Sequence, residues 1–222
     1  GKHVTRSNLA KANENRDYRI FEDFAFYMMG EARNKRVNDI FQLNGNVYAF
    51  DSTTIDLCLK LFPWAKFRKY KGGIKVHTLY DVETQVPAFI HITEAKVNDV
   101  KAMDSISYES GSYYVFDRAY NDYKRLFKIH MKDSFFVVRA KTNIKSRVLK
   151  WKRRLPKNIL SDCEIELTGY YSQKAYPERI RMVRYWDEDD QREFIYLTNA
   201  KQISALQVAE LYKNRWQLEL FF

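Results

Sequence analysis

The chain has 222 residues, 45% hydrophobic and 30% charged, a globular rather than disordered composition that is enough for one good-sized domain or a domain with an insertion. Lys and Arg outnumber Asp and Glu by 38 to 28, and a net charge of +10 points towards a polyanion partner if the chemistry agrees. No apolar run approaches the roughly 20 residues of a membrane span and no signal-peptide pattern opens the chain, so a cytoplasmic protein is expected. Cys58 and Cys163 stand in unrelated contexts, which excludes a zinc or disulfide framework and leaves each as a buried structural thiol.

The first stretch, 5–34, predicts helix: Ser7 is a candidate cap, and Leu9, Ala12, Ile20, Phe24 and Tyr27 recur at helical spacing. It begins at Gly1 without an initiator Met, which suggests a fragment. A Gly-Asn turn then leads into Val47–Phe50, apolar on both faces and therefore a central strand, with polar residues from Asp51 onward. Residues 71–93 read as an antiparallel hairpin around Asp81–Thr84, with Pro87 at a strand start or edge. His77 and His91 on that hairpin read as structural or supporting residues. A helix is expected near Asp99–Ile106. Strand Tyr113–Phe116, Asp117, helix Asp122–Met131 and strand Phe135–Arg139 follow the grammar of a mixed α/β sheet.

From about 141 the character changes. A dense basic run (Lys145, Arg147, Lys150, Lys152, Arg153, Arg154, Lys157) precedes alternating segments at Cys163–Leu167, Arg179–Trp186 and Glu193–Leu197, with an acidic turn at Asp187–Asp190. The spacing predicts a β-rich insertion over 141–198, and Ser204 would cap one last helix running to the chain end. Four parts result: a helical segment 1–45, a core 46–140, the insertion 141–198, and a closing helix 199–222.

Asp51 and Asp117 share one context, each following a short apolar strand, VYAF and YYVF. If those strands are parallel neighbours, both carboxylates emerge at one sheet edge, where open α/β sheets build their sites. Two close carboxylates need a cation between them, and hard oxygen ligands suit Mg²⁺ or Mn²⁺. The plain alternative is that Asp ends strands as a turn former. Tyr212, Arg215 and Glu219, three and four residues apart, fall on one helical stripe. Glu219 there is either paired with Arg215 at i−4 or a third metal ligand.

Asp51 in YAFDSTT, Asp117 in FDRAYND and the Tyr212-x2-Arg215-x3-Glu219 spacing together resemble the DDE transposases of the insertion-sequence-four group, which carry a Tyr-Arg-Glu-Lys signature. KGGIKVH (71–77) and RSNLAKANENRDYRIF (6–21) are similar in style, so the resemblance covers nearly the whole chain. It implies a ribonuclease-H-like mixed sheet flanked by helices, with a β-rich insertion before the last helix. The triad would be Asp51, Asp117 and Glu219, holding two Mg²⁺ or Mn²⁺ ions for cleavage and strand transfer of an insertion sequence. The implied partner is double-stranded DNA, held by a dimer in a synaptic complex, in the bacterial cytoplasm at the nucleoid. Tyr212, Arg215, Arg118, Lys66, Arg68, Lys69, Lys71, Lys75, Lys150, Lys152, Arg153 and Arg154 are the candidate DNA contacts, against the plain reading of a charge run as a solvated face. The signature's Lys would fall at position 226, beyond the chain, which leaves a non-catalytic DNA-binding relic as the competing reading; Phe221 and Phe222 would be core residues of that helix.

Overall fold

The computed structural model describes residues 4–34, 40–60, 63–68 and 71–222, with 67 and 68 in backbone only. One sheet of ten strands organises the chain: β1 (Val47–Leu57), β2 (Lys66–Arg68), β3 (Lys71–Asp81), β4 (Val86–Glu94), β5 (Tyr113–Phe116), β6 (Phe135–Arg139), β7 (Ser146–Trp151), β8 (Ile159–Leu167), β9 (Ile180–Asp187) and β10 (Arg192–Thr198). Their spatial order is β2-β3-β1-β5-β6-β10-β9-β8-β7, with β4 on the outer side of β3. β1, β5 and β6 run parallel, and every other pairing is antiparallel. Segment 141–198 thus supplies four strands that continue the sheet outward, β10 pairing directly with β6.

β5 is buried at all four residues because both faces are covered, the pattern expected of a central parallel strand. Period-two alternation splits the core in two. Val47, Ala49, Tyr113, Val115 and Val137 face one side, against α6 (Ala205–Lys213) and α7 (Trp216–Phe221). Tyr48, Phe50, Tyr114, Phe116, Phe136 and Val138 face the other, against α3 (Asp99–Ala102) and α4 (Tyr123–His130). Asp122 caps α4 by accepting from the Arg125 amide at 3.0 Å. In the hairpin turn, Asp81 accepts from the Glu83 and Thr84 amides at 3.0 and 3.1 Å.

Several expectations are corrected. The N-terminal stretch forms two helices, α1 (Arg6–Glu14) and α2 (Arg19–Asn34), and Thr5 rather than Ser7 caps the first. Neither helix buries a residue; Leu9, Ile20, Phe24 and Tyr27 are all exposed. A polar network ties the end of α2 to the sheet: Arg33 donates to the Tyr48 hydroxyl at 2.6 Å, and Tyr48 donates to Glu109 at 2.8 Å. β1 does not stop at Phe50 but runs on to Leu57, because β3 pairs with it along that whole length. The strand β7 and the short helix α5 (Tyr170–Ala175) were not foreseen. Cys163 is buried, but Cys58 is exposed.

Ser204 does cap α6, in a reciprocal capping box with Gln207. The final helix is nevertheless two helices. Asn214 closes α6, its side-chain amide donating to the Glu210 carbonyl at 3.0 Å, and α7 restarts after Arg215. Phe221 and Phe222 are 46% and 44% exposed, so they are not core residues here. Among the described residues, no helix is long and apolar enough to cross a membrane.

Candidate active site

The parallel register pairs Phe50 of β1 with Phe116 of β5, and Phe116 with Val138 of β6. The next residues, Asp51, Asp117 and Arg139, therefore form a row across three strands, at the ends of β5 and β6 and midway along β1. Alternation turns all three towards the face covered by α6 and α7. That is why two carboxylates emerge together: Phe50 and Phe116 are anchored in the opposite core, and the residue after each must face the other way. Arg139, at the matching place in FFVVR, was missed, although it follows the apolar run of the third parallel strand as the two Asp residues follow those of the first two.

From above, the break between α6 and α7 lowers three side chains onto this row. Tyr212 donates its hydroxyl to Asp117 at 2.8 Å. Arg215 donates to Asp51 at 2.9 Å and, through its other terminal nitrogen, to Glu219 at 2.5 Å. Asp51 also accepts from the Ser52 amide at 2.8 Å and the Tyr120 hydroxyl at 3.3 Å. Asp117, Arg139, Tyr212, Arg215 and Glu219 line a cleft of about 470 Å³, whose opposite wall carries the acidic turn Asp187–Asp190 and Arg192. Between them, Arg139 and Arg192 hold the Phe194 ring at 4.9 and 4.5 Å.

Burial raises the Asp51 carboxyl above its usual range, and Asp117 adds repulsion; the Ser52 amide and Arg215 only partly offset this. Burial also works against ionised Asp117, but the Arg118 amide, the Tyr212 hydroxyl, Arg215 and Arg139 together hold its pKa below the usual value. Tyr212 is pushed up to about 12, by burial first and by the Asp117 charge second, so its proton stays on the hydroxyl. Two neighbouring carboxylates thus titrate in opposite directions.

Asp51 and Asp117 suit a hard divalent cation: oxygen donors, side by side, one of them short of charge compensation. Glu219 is currently tied to Arg215, and no three acidic, His or Cys side chains converge as a metal site among the described residues. Tyr212 and Arg215, expected on phosphates, are instead engaged by the carboxylates.

The other candidates scatter. Lys75 is turned inward, 3.0 Å from Asp99 and donating to the Val97 carbonyl at 2.8 Å, so it is not a free phosphate contact. Lys66 and Lys71 are exposed near the far end of the β1–β3 ribbon, which projects past Asp51; Lys69 and the Arg68 side chain lie outside the described residues. Arg118 is exposed one residue after Asp117. Part of the basic run is internally neutralised: Lys152 by Asp162 at 2.9 Å, Arg147 by Glu166 at 2.6 Å and Lys157 by Glu188 at 3.1 Å. Lys150, Arg153 and Arg154 are exposed and make no ion pair among the described residues. His77 is fully buried and bonds to Thr93 at 2.9 Å, the structural part assigned to it.

Comparison with known proteins agrees with this arrangement. The family described as transposase DDE domain matches residues 43–222. A Sinorhizobium fredii protein named as transposase y4zB is 33% identical over 221 residues, 96% of this chain and 60% of that protein. A Geobacillus stearothermophilus protein named as a transposase for insertion sequence element IS5377 is 29% identical over 174 residues, covering 78% of this chain and 45% of its own. The chain therefore spans about half to three fifths of the length of these relatives. A solved piggyBac transposase synaptic complex with hairpin DNA overlaps 78% of this chain and 38% of its own, at 11% identity and a TM-score of 0.44. A family match that begins just before the first strand of the Asp row and takes in every residue of the cleft, with a relative at one-third identity over nearly all the chain, settles its kinship: the chain belongs to the transposase DDE domain family.

Proposed function

We propose that this chain is the catalytic core of an insertion-sequence transposase that cuts and joins DNA by in-line phosphodiester displacement. The observation that carries this is the row of Asp51 and Asp117 on adjacent parallel strands, with Glu219 brought above it by the terminal helices. The strand order β4-β3-β1-β5-β6, three strands antiparallel and then two parallel to β1, supports a ribonuclease-H-like core, and the Tyr-Arg-Glu spacing supports the insertion-sequence-four type.

In this reading Asp51, Asp117 and Glu219 would hold two Mg²⁺ or Mn²⁺ ions. Such a pair activates the attacking oxygen and stabilises the leaving one. The chain's own groups do the rest. Tyr212 keeps its proton and orients Asp117. Arg215 neutralises Asp51 and Glu219 in the resting state and, once released, offers a planar fork to a phosphate near the cut. Arg139 adds positive charge beside Asp117, where a scissile phosphate would sit. Double-stranded element ends and target DNA are the partners, and the joining of two ends implies a dimer.

The test is Mg²⁺-dependent cleavage of element-end DNA by the full-length protein, with Asp51→Ala, Asp117→Ala and Glu219→Ala made singly. Each should reduce cleavage by at least about a thousand-fold, the loss of a group acting only in the transition state; undiminished cleavage removes that residue from the set. The observation that Arg215 bridges two of the three carboxylates favours a second reading, a DNA-binding relic locked against metal. That reading requires all three variants and the parent to bind DNA equally and cleave nothing.

A further inference from the structure

A groove of about 740 Å³ lies beside the acid cleft. Asn121 lines it and donates to the Arg139 carbonyl at 3.2 Å, while Arg139 lines the cleft, so the two depressions share a wall. Lys124, Lys141 and Lys145 stand around the groove, all exposed. Its one acidic lining residue, Asp122, is already engaged by Arg125 at 3.0 Å. None of the three lysines makes an ion pair among the described residues, in contrast to the neutralised members of the basic run. Uncompensated positive charge is therefore concentrated here.

α5 presents Tyr170 and Tyr171 to the same groove, with Lys145 beside the start of the helix. They are 74% and 84% exposed, the two highest values among the large hydrophobic residues described. Their rings meet edge to face at 5.2 Å, leaving ring faces open to solvent. Two exposed aromatic faces cost free energy unless something stacks on them. Lysines spaced around paired aromatic rings are the chemistry that holds an unpaired strand: phosphates to the ammonium groups, bases to the rings. A duplex keeps its bases stacked inside and offers nothing to Tyr170 or Tyr171.

We propose that this groove binds single-stranded DNA, guiding an unpaired strand away from the acid cleft across Asn121 and Arg139. The inference rests on the DNA-cutting reading above for its purpose, but its binding can be measured without any cleavage.

The experiment uses fluorescence anisotropy with a labelled oligothymidylate and with a duplex of equal length. Tyr170→Ala/Tyr171→Ala should weaken single-strand binding about tenfold or more while changing duplex binding less than twofold. Tyr170→Phe/Tyr171→Phe, which keeps the rings, should restore the affinity. Lys124→Gln/Lys141→Gln/Lys145→Gln should lower the slope of log affinity against log salt by about 2 on the single strand, three contacts at roughly 0.7 each. All of these side chains are exposed, so an unchanged melting temperature establishes that the variants fold. Equal losses on duplex and single strand, no loss on either, or no measurable single-strand binding by the parent would each overturn the proposal. Asp51→Ala should bind the oligothymidylate as the parent does. If no variant and not even the parent cuts DNA, the catalytic reading fails while the single-strand binding still stands.

Discussion

Removing the Arg215 guanidinium would leave Asp51 a half-buried carboxylate facing Asp117 with only the Ser52 amide and Tyr120 for partners. Arg215→Ala should therefore cost about 1–3 kcal/mol in metal-free unfolding, the usual penalty of an unmatched buried polar group. It should also enlarge the melting-temperature gain from Mn²⁺, because the internal cation no longer competes for the same oxygens. An identical Mn²⁺ shift in parent and variant would mean that Arg215 does not stand in the metal's place. His77 makes a second prediction. Burial lowers its pKa to about 4; Asp99, 4.0 Å from Nδ1, pulls the other way, while His91 and Lys75 add to the lowering. The unfolded chain then binds the extra proton, so this contribution is complete above about pH 6.5 and is lost as pH falls towards 4, up to about 3 kcal/mol. Urea midpoints at pH 7 and 4.5 should converge more closely in His77→Gln than in the parent.

Elements explain which parts of the site were legible beforehand. β5, β6 and α4 could be read to within a residue or two because a run apolar on both faces, or an Asp cap before an amphipathic turn, has few other uses. The adjacency of Asp51 and Asp117 was conditional on a parallel pairing that periodicity cannot supply; tertiary contact decided it. The extension of β1 carries the β-branched Thr53, Thr54 and Ile55, but a polar stretch after Asp51 gives no sign of a strand until β3 pairs with it. The break before α7 was hidden because Asn214 competes for a helix carbonyl with its own side chain, a local choice that the wider spacing does not reveal. Arg181 shows how the outer strands hold the site. Its guanidinium grips Asp162 at 2.7 and 2.8 Å, and donates to the Ala200 and Ile203 carbonyls at 3.0 and 2.7 Å, just before α6. Asp162→Ala strands that buried charge, and chemical unfolding should show a loss of about 3–5 kcal/mol. A loss under 1 kcal/mol would place the support of α6 elsewhere.

Across the whole molecule, the continuity of the sheet sets a length. From β5, which Asp117 follows, five pairings lead through β6, β10, β9 and β8 to β7, which carries Lys150 and is followed by Arg153 and Arg154. At about 4.8 Å per pairing the span is roughly 24 Å. The duplex rises about 3.4 Å per base pair, so the outer strand should touch the backbone about seven base pairs from the cut bond. Hydroxyl-radical footprinting with the parent and with Lys150→Gln/Arg153→Gln/Arg154→Gln should show protection lost at that distance and kept at the cut itself. Protection that stays in place, or is lost at the cut instead, would assign the spacing to something other than strand count. A sheet without a gap is in this sense a gauge: adding or deleting one of its strands would move the contact by about one and a half base pairs while leaving the carboxylates untouched.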